Sequence, residues 1–272
     1  MIPAALQYRR ASSVEDALAI LAEHGDEAKL LAGGHSLLPL MKLRLAAPEI
    51  VVDIAGLPEL SYVRDEGEHI AIGAMTRYHD LVADPVLVEH APLVAHVAGT
   101  IGDPQVRHRG TIGGSVAHGD PAADLPAALL ACSAEFVVRT RQGQRTVAAE
   151  EFFLGPFTTA LDPDEVLVEV RVPKRTGVGW GFEKFTRRSI DWAIVGVAVC
   201  GHAVALINMA GTPMRAEATE RALAEGASIS EAARLAAEGT SPADEPHASG
   251  EYRRHLARVL TERALLQAAR RG

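Results

Sequence analysis

Ala32-Gly33-Gly34-His35-Ser36 and, further along, Thr111-Ile112-Gly113-Gly114-Ser115 decide how this chain is read. Each is a glycine doublet that follows an apolar residue or run and leads to a small polar residue. Without a Cβ, glycine lets successive backbone N–H groups turn toward one point and lets a phosphate come close to the chain. A helix start after Ser36, with Pro39 suited to its first turn, adds further N–H donors. Taken singly, each doublet is either a tight turn or a phosphate nest. As a matched pair, the two are able to hold one pyrophosphate from opposite sides. No Gly-x-x-x-x-Gly-Lys-Ser/Thr occurs, and Gly177-x-Gly179-x-Gly181 lacks the Rossmann spacing and precedes a strand-like run rather than a helix. A pyrophosphate ligand here needs a different fold.

Outward from the first doublet, Ser12 and Glu15 have the spacing of a capping box before Val14, Ala17, Leu18 and Leu21, which recur at helical intervals. Residues 28–32 and 50–54 are apolar runs of buried-strand length, with a short helix expected from Pro39 to Leu45. Gly56-Leu57-Pro58 suits a boundary. Beyond it, Asp65-Glu66-Gly67-Glu68 joins two strand-like runs that end at Ile72, and helical stretches follow Thr76 and Pro92. Residues 101–124 are glycine-rich with little helical periodicity. A helix over 125–132 and strands over 135–140 and 166–172 complete this part. From Trp180 on, strand-like runs at 181–186, 193–199 and 203–209 precede helices at 215–225, 230–238 and 251–269. Strands followed by helices indicate an α+β unit.

With 272 residues, 48% hydrophobic and a mean hydropathy of +0.08, the chain is able to bury a substantial core. Its formal charge of −8 argues against nucleic acid as a main partner. Two cysteines, Cys132 and Cys200, are too few for an iron–sulfur cluster, a cysteine zinc site or a disulfide scaffold, which suits a reducing cytoplasm. The first residues, Met1-Ile2-Pro3-Ala4-Ala5, lack the charged and apolar regions of a signal peptide. Between Trp192 and Met214 no Asp, Glu, Lys or Arg occurs, a run long enough to span a bilayer. Val195, Val197 and Val199 alternate, however, and the pattern resumes after Cys200-Gly201-His202, so a hairpin is expected rather than a membrane span.

The string Ile101-Gly102-Asp103-Pro104-Gln105-Val106-Arg107-His108-Arg109-Gly110, continued by the second doublet and Val116-Ala117-His118-Gly119-Asp120-Pro121-Ala122-Ala123-Asp124, resembles a family signature. It is similar to the FAD-binding medium subunit of molybdenum hydroxylases, of the aerobic carbon monoxide dehydrogenase and xanthine dehydrogenase type. Gly33 to Lys42, Glu183-Lys184-Phe185 with Arg188 and Asp191-Trp192-Ala193, and Gly250 to Ala257 match further motifs of that family in the same order. The resemblance implies a two-lobed, PCMH-type α+β FAD-binding domain (1–57 and 58–175) followed by a C-terminal α+β domain (176–272) with a small antiparallel sheet and helices. It implies non-covalent FAD, with Ala32, Gly33, Gly34, His35 and Ser36 and then Thr111, Ile112, Gly113, Gly114 and Ser115 at the pyrophosphate. Ile101, Asp124, Leu167 and Lys184 fall at FAD-contacting positions, and Trp192 where relatives carry an aromatic near the isoalloxazine. It further implies that no catalytic residue lies on this chain. The molybdenum cofactor belongs to a large partner subunit and 2Fe–2S clusters to a small one, in a cytoplasmic dimer of heterotrimers. Electrons then run from the clusters to FAD and on to an external acceptor, with carbon monoxide the substrate of first resort.

Other candidates have plainer readings. His35 is expected to hydrogen-bond across its loop; the alternative is a covalent flavin link in a stand-alone oxidase. His108 and His118, with Asp103, Asp120 and Asp124, lack compact metal-ligand spacing. Asp120 before Pro121 is a turn residue, while Asp124 is able to accept a hydrogen bond from a ribose or ribityl hydroxyl. Lys184 on its own reads as a solvated cation, and Trp192 as core. Arg253, Arg254, Arg258 and Arg263 read as a solvated or docking face of the last helix. Ser36 and Ser115 have neither a base nor an elbow motif for nucleophilic chemistry.

Overall fold

Val51 and Val52 are fully buried and Ile50 nearly so, because their strand lies in the middle of a parallel sheet covered on its faces. The computed structural model describes residues 2–272; Met1, the first residue of the segment read for a leader, lies outside them. The first part runs β1 (Gln7–Arg10), α1 (Val14–His24), β2 (Ala28–Leu31), α2 (Leu37–Lys42) and β3 (Ile50–Asp53), with sheet order β1-β3-β2 and every pair parallel. Val14, Ala17, Leu18 and Leu21 of α1 pack on this sheet, together with Leu57, Leu60, Met75 and Val166 from beyond it. The helix cap differs from expectation by one residue. Ser13 is the N-cap and accepts from the Asp16 N–H, while the Asp16 carboxylate accepts from the N–H and hydroxyl of Ser12. Aspartate at the third helical position, rather than glutamate at the second, is placed to reach back. The short helix also stops at Lys42, before Leu45, and Arg44 takes a left-handed φ of 59°.

The second part is a five-stranded antiparallel sheet, β4-β5-β10-β6-β7, faced by helices. Its elements are β4 (Val63–Asp65), β5 (His69–Gly73), α3 (Tyr78–Val82), α4 (Pro85–His90), α5 (Pro92–Thr100), α6 (Pro104–Arg107), α7 (Ile112–His118), α8 (Asp124–Ala131), β6 (Glu135–Arg139), β7 (Gln144–Ala148), α9 (Ala149–Phe152), the small hairpin β8 (Phe153–Gly155) and β9 (Thr158–Thr159), and β10 (Val166–Pro173). The region from 101 to 124, read as irregular, contains two short helices. Their starts are capped by Asp103, which accepts from Val106, and Thr111, which accepts from Gly114. A bulge in β10 between Leu167 and Glu169 bends the strand beside the cleft described below.

The last part is the antiparallel sheet β11 (Trp180–Phe185), β12 (Val195–Cys200), β13 (Ala203–Ile207) and β14 (Met214–Arg215), followed by α10 (Glu217–Ala224), α11 (Ile229–Ala233) and α12 (Gly250–Arg271). The uncharged run is thus a hairpin, as its alternation requires, and no helix among the described residues is long and apolar enough to cross a membrane. Helix α8 packs on β12 and β13, so Leu129 and Phe136 share one core with Phe182, Ala198 and Ile207. Helix α12 covers the other face. It lies so close to β11 that a Cβ on Gly179 would overlap the Ala268 carbonyl, and one on Gly181 the Ala264 carbonyl. The Gly-x-Gly run is a helix-on-strand contact. Arg253 departs from the expected solvated face. It is buried, ion-paired to Glu245 at 2.5 Å, and 3.4 Å from the Asn208 carbonyl, to which it donates.

Replacing Gly181 with alanine sets a methyl against backbone that cannot rotate away, and is expected to destabilise the protein by roughly 1–3 kcal/mol. Gly143→Ala, where nothing lies within 4 Å, is the matched control. Urea unfolding of the two variants compares them, and equal midpoints would mean α12 is free to move off the strand.

Candidate functional site

A cleft of about 430 Å³ opens between the end of β2 on one side and α7 and β10 on the other. It gathers Ala32, Gly33, Gly34, His35, Ser36, Thr111, Gly113, Gly114, Ser115, Leu167 and Trp192 from the expected site. Ile112, Ile101, Asp124 and Lys184 do not line it. Ile112, the first residue of α7, is completely buried in the core, and Ile101 packs on the core with its carbonyl accepting from Arg107. The cleft also takes in residues for which no motif spoke, among them Met75, Tyr78, Asp162 and Glu165, and His118 from within the signature string.

The two doublets turn out to be different devices. In the first, Gly34 has φ +78°, a conformation a side chain resists, and Gly33 sits flush against the Arg109 carbonyl. Among the described residues, no group accepts from the backbone N–H groups of Gly33, Gly34, His35 or Ser36, and Ser36 adds no side-chain cap to α2. This loop is a row of open donors facing a cleft, the expected nest. In the second segment the amides of Ile112 to Ser115 are engaged, and that of Thr111 has no acceptor among the described residues. Ile112 donates to Thr76, Gly113 to Ala74, Gly114 to the Thr111 hydroxyl and Ser115 to the Thr111 carbonyl. Its glycines serve close approach: a Cβ on Gly113 would stand 2.5 Å from that of Ala74. The picture of two facing nests is therefore corrected to one nest facing a capped helix start that offers hydroxyls. His35 is exposed at the rim and, among the described residues, has no hydrogen-bond partner, so it does not brace its loop as expected.

Asp124 and Lys184 meet one residue beyond Ala123, which lines the cleft. Lys184 Nζ donates to Asp124 Oδ2 at 2.6 Å, and the two side chains are only 10% and 4% exposed. Lys184 is thus no solvated cation. Burial pushes the Asp124 carboxyl up to about 6, against the opposing pull of Lys184. Its other oxygen, Oδ1, is buried with no hydrogen-bond partner in the chain. A buried acceptor of this kind is rare and marks an absent partner. At the rim, Trp192 is 58% exposed, and the loop that carries it is held from beneath. Asn208 donates through Nδ2 to the carbonyls of Ala193 and Ile194, Ile194 N–H donates to Phe185, and Arg188 grips Asp191 through two nitrogens. Across the cleft, burial works to raise the Glu165 carboxyl, but Arg145 and the Asp162 N–H hold it below the usual range. Burial lowers His118, which keeps its ring neutral at pH 7. Asp120 accepts from the Ala122 N–H, the turn role expected of it.

Because the Asp124 carboxyl titrates higher folded than unfolded, the native state holds a proton that the unfolded chain has released between about pH 4 and pH 6. Wild type is therefore expected to gain stability relative to Asp124→Asn as pH falls from 7 to 4. Denaturant titrations across that range measure it; a relative loss would place the native carboxyl below its ordinary value.

Residues 4–175 match the FAD binding domain in molybdopterin dehydrogenase, and residues 180–268 match the CO dehydrogenase flavoprotein C-terminal domain. The chain is 44% identical to the carbon monoxide dehydrogenase medium chain of Hydrogenophaga pseudoflava, over 97% of each chain. It is 37% identical to the 6-hydroxypseudooxynicotine dehydrogenase complex subunit alpha of Paenarthrobacter nicotinovorans, over all of this chain and 97% of that one. A solved structure of the Hydrogenophaga pseudoflava carbon monoxide dehydrogenase, in a form that lacks the Mo-pyranopterin moiety of its molybdenum cofactor, superposes with a TM-score of 0.96 at 46% identity, over 100% of this chain and 99% of that one. An open-donor glycine loop, a capped helix start facing it and a sequence match along nearly the whole chain agree: this chain belongs to the FAD-binding medium subunits of the carbon monoxide dehydrogenase and xanthine dehydrogenase family.

Proposed function

We propose that this chain carries electrons within a molybdenum hydroxylase. It holds FAD without a covalent bond, receives electrons from 2Fe–2S clusters on a small partner subunit and delivers them to an external acceptor. The observation that carries the reading is the row of free N–H groups from Gly33 to Ser36, set at the mouth of a cleft one residue from a buried carboxylate oxygen without a partner. Both features suit a pyrophosphate joined to a polyhydroxylated chain. FAD, when bound, supplies a carrier able to take electrons in pairs and release them singly or in pairs.

The residues divide the work. Gly33, Gly34, His35 and Ser36 donate backbone N–H groups to the pyrophosphate, and Thr111 and Ser115 face it with hydroxyls. Asp124 Oδ1 accepts from a hydroxyl of the cofactor, while Lys184 keeps that carboxylate charged and stationary. Leu167 and Met75 exclude water from the cleft floor, and Trp192 covers its rim beside the isoalloxazine. Ile101 and Ile112 act from the core, by fixing the segments on either side of α6. The division of the chain that goes with this reading is 1–57 and 58–175 for the two cofactor-binding lobes and 176–272 for the C-terminal domain. A large molybdenum-bearing subunit would complete a dimer of heterotrimers in the cytoplasm. Carbon monoxide, named by the 44% relative, is the first substrate to try on the assembled complex.

Acid precipitation of the flavin-loaded protein should leave FAD in the supernatant; flavin in the pellet would instead indicate attachment at His35 and a self-contained oxidase. Gly34→Val, which forces a side chain into φ +78° and against Leu38, should abolish FAD binding while thermal unfolding stays cooperative. Substrate should bleach the flavin absorbance of the whole complex but not that of the isolated chain, whereas dithionite should bleach both. Substrate-driven bleaching of the isolated chain would overturn the relay.

A further inference from the structure

The Gly250–Ala257 motif forms the start of α12, far in sequence from either glycine loop and outside the lining of the cleft. Leu256 and Ala257 pack with the valines of β12. Gly250 lets the preceding segment approach, since a Cβ there would stand 2.6 Å from the Pro242 carbonyl oxygen. Arg253 has no such explanation. It is 1% exposed, among the described residues it pairs with Glu245 alone, and its Nε is buried without an acceptor there. A buried guanidinium carries a desolvation cost that an apolar side chain of similar size avoids, so stability alone does not call for arginine at this position.

The guanidinium fork spans two partners. Nη2 pairs with Glu245, and Nη1 donates to the Asn208 carbonyl at 3.4 Å. Asn208 is held at φ +60°, a conformation that a non-glycine residue keeps only when its surroundings fix it. Each of its polar groups ties down a different segment. Its N–H donates to the Pro121 carbonyl at 2.9 Å, shortly before Asp124, and its side chain donates to the carbonyls of Ala193 and Ile194 at 2.8 and 3.3 Å, directly after Trp192. Its own carbonyl is the group that Arg253 meets. The same end of α12 holds the near side of the Trp192 loop. The Tyr252 ring meets that of Phe185 edge-on at 6.3 Å, and Arg187 donates to His247 Nε2 at 2.9 Å. Trp192 itself is exposed, so its place over the cleft is set by these anchors of the loop rather than by packing of its own ring.

We propose that Arg253 is a positioning residue for the flavin: from α12 it holds the Asn208 corner and, through it, the loop that sets Trp192 at the rim of the cleft. This rests on the FAD reading and adds to it a residue that does not line the cleft. Arg253→Met keeps the volume and leaves Glu245, half exposed, to water. Arg253→Lys keeps the charge but replaces the fork with a single point, and it carries the same test should the methionine variant fail to fold. In a Trp180→Phe background Trp192 is the single tryptophan, and its fluorescence anisotropy in the flavin-free full chain follows the loop directly. Both Arg253 variants should lower that anisotropy. Their affinity for FAD should fall about three- to tenfold, while ADP, which lacks the flavin, should bind as it does to the wild type. Asn208→Gly, which tolerates φ +60° and removes the side-chain bonds to Ala193 and Ile194, should do the same, and adding Arg253→Met to it should change neither measurement further. Folded Arg253 variants with wild-type Trp192 anisotropy and FAD affinity overturn the proposal and leave the FAD reading standing, whatever their stability. So does an equal loss for FAD and ADP, or a double variant whose losses multiply. Failure of the well-folded wild-type chain to bind FAD overturns both.

Discussion

The ion pair between Lys184 and Asp124 ties the C-terminal sheet to the cofactor-binding part. Removing two charges from water is expensive, and their attraction at 2.6 Å offsets that loss only while the geometry holds. Deleting one partner would strand the other in the interior. The pair anchors the start of α8 near the end of β11, from which the loop that presents Trp192 hangs. Asn208 reinforces the same junction: its N–H donates to the Pro121 carbonyl, while its side chain holds the two carbonyls just after Trp192. One wall of the cleft is therefore set by a residue that lies in a different sheet from the other walls. The carboxylate is satisfied on one oxygen only, so the junction is complete for the fold and incomplete for the chemistry.

The glycines divide by physical role rather than by motif. Gly34 is required for its backbone angle, Gly33 and Gly113 for the approach of other backbone, and Gly179 and Gly181 for a helix lying directly on a strand. Only the first of these roles produces a ligand site. In sequence the three look alike, and this is why the second doublet invited the same reading as the first.

The sequence made the outline legible wherever a period and a boundary coincided. The alternation of Val195, Val197 and Val199 identified a hairpin, and the apolar run ending at Ile54 a buried strand. Elements without apolar pattern were missed. Strand β1 is exposed along its length and is a strand only because Gln7 to Arg10 pair with Ile50 to Asp53. Helix α7 was hidden because glycine at two of its first three positions lowers its propensity, while the Thr111 cap and the Thr76 and Ala74 carbonyls hold it in place. In the site, the first loop was legible from residue types alone. The roles of Lys184 and Asp124 came from resemblance, since nothing local to either residue says that they meet. Tyr78 carried no signal: its place at the cleft depends on where Gly110 lies.

The flat contact between α12 and the glycines of β11 has a consequence for how the protein is made. Strands β11, β12 and β13 leave the ribosome well before α12, so the valine-rich face that α12 covers is bare during that interval. Alternating β-branched strands without charge are also the segments most prone to pair with other chains. Until the helix docks, Lys184 has no fixed strand from which to reach Asp124. Maturation of the cofactor cleft is thus coupled to the arrival of a helix that does not line it, and the interval before docking is when a chaperone has a surface to hold.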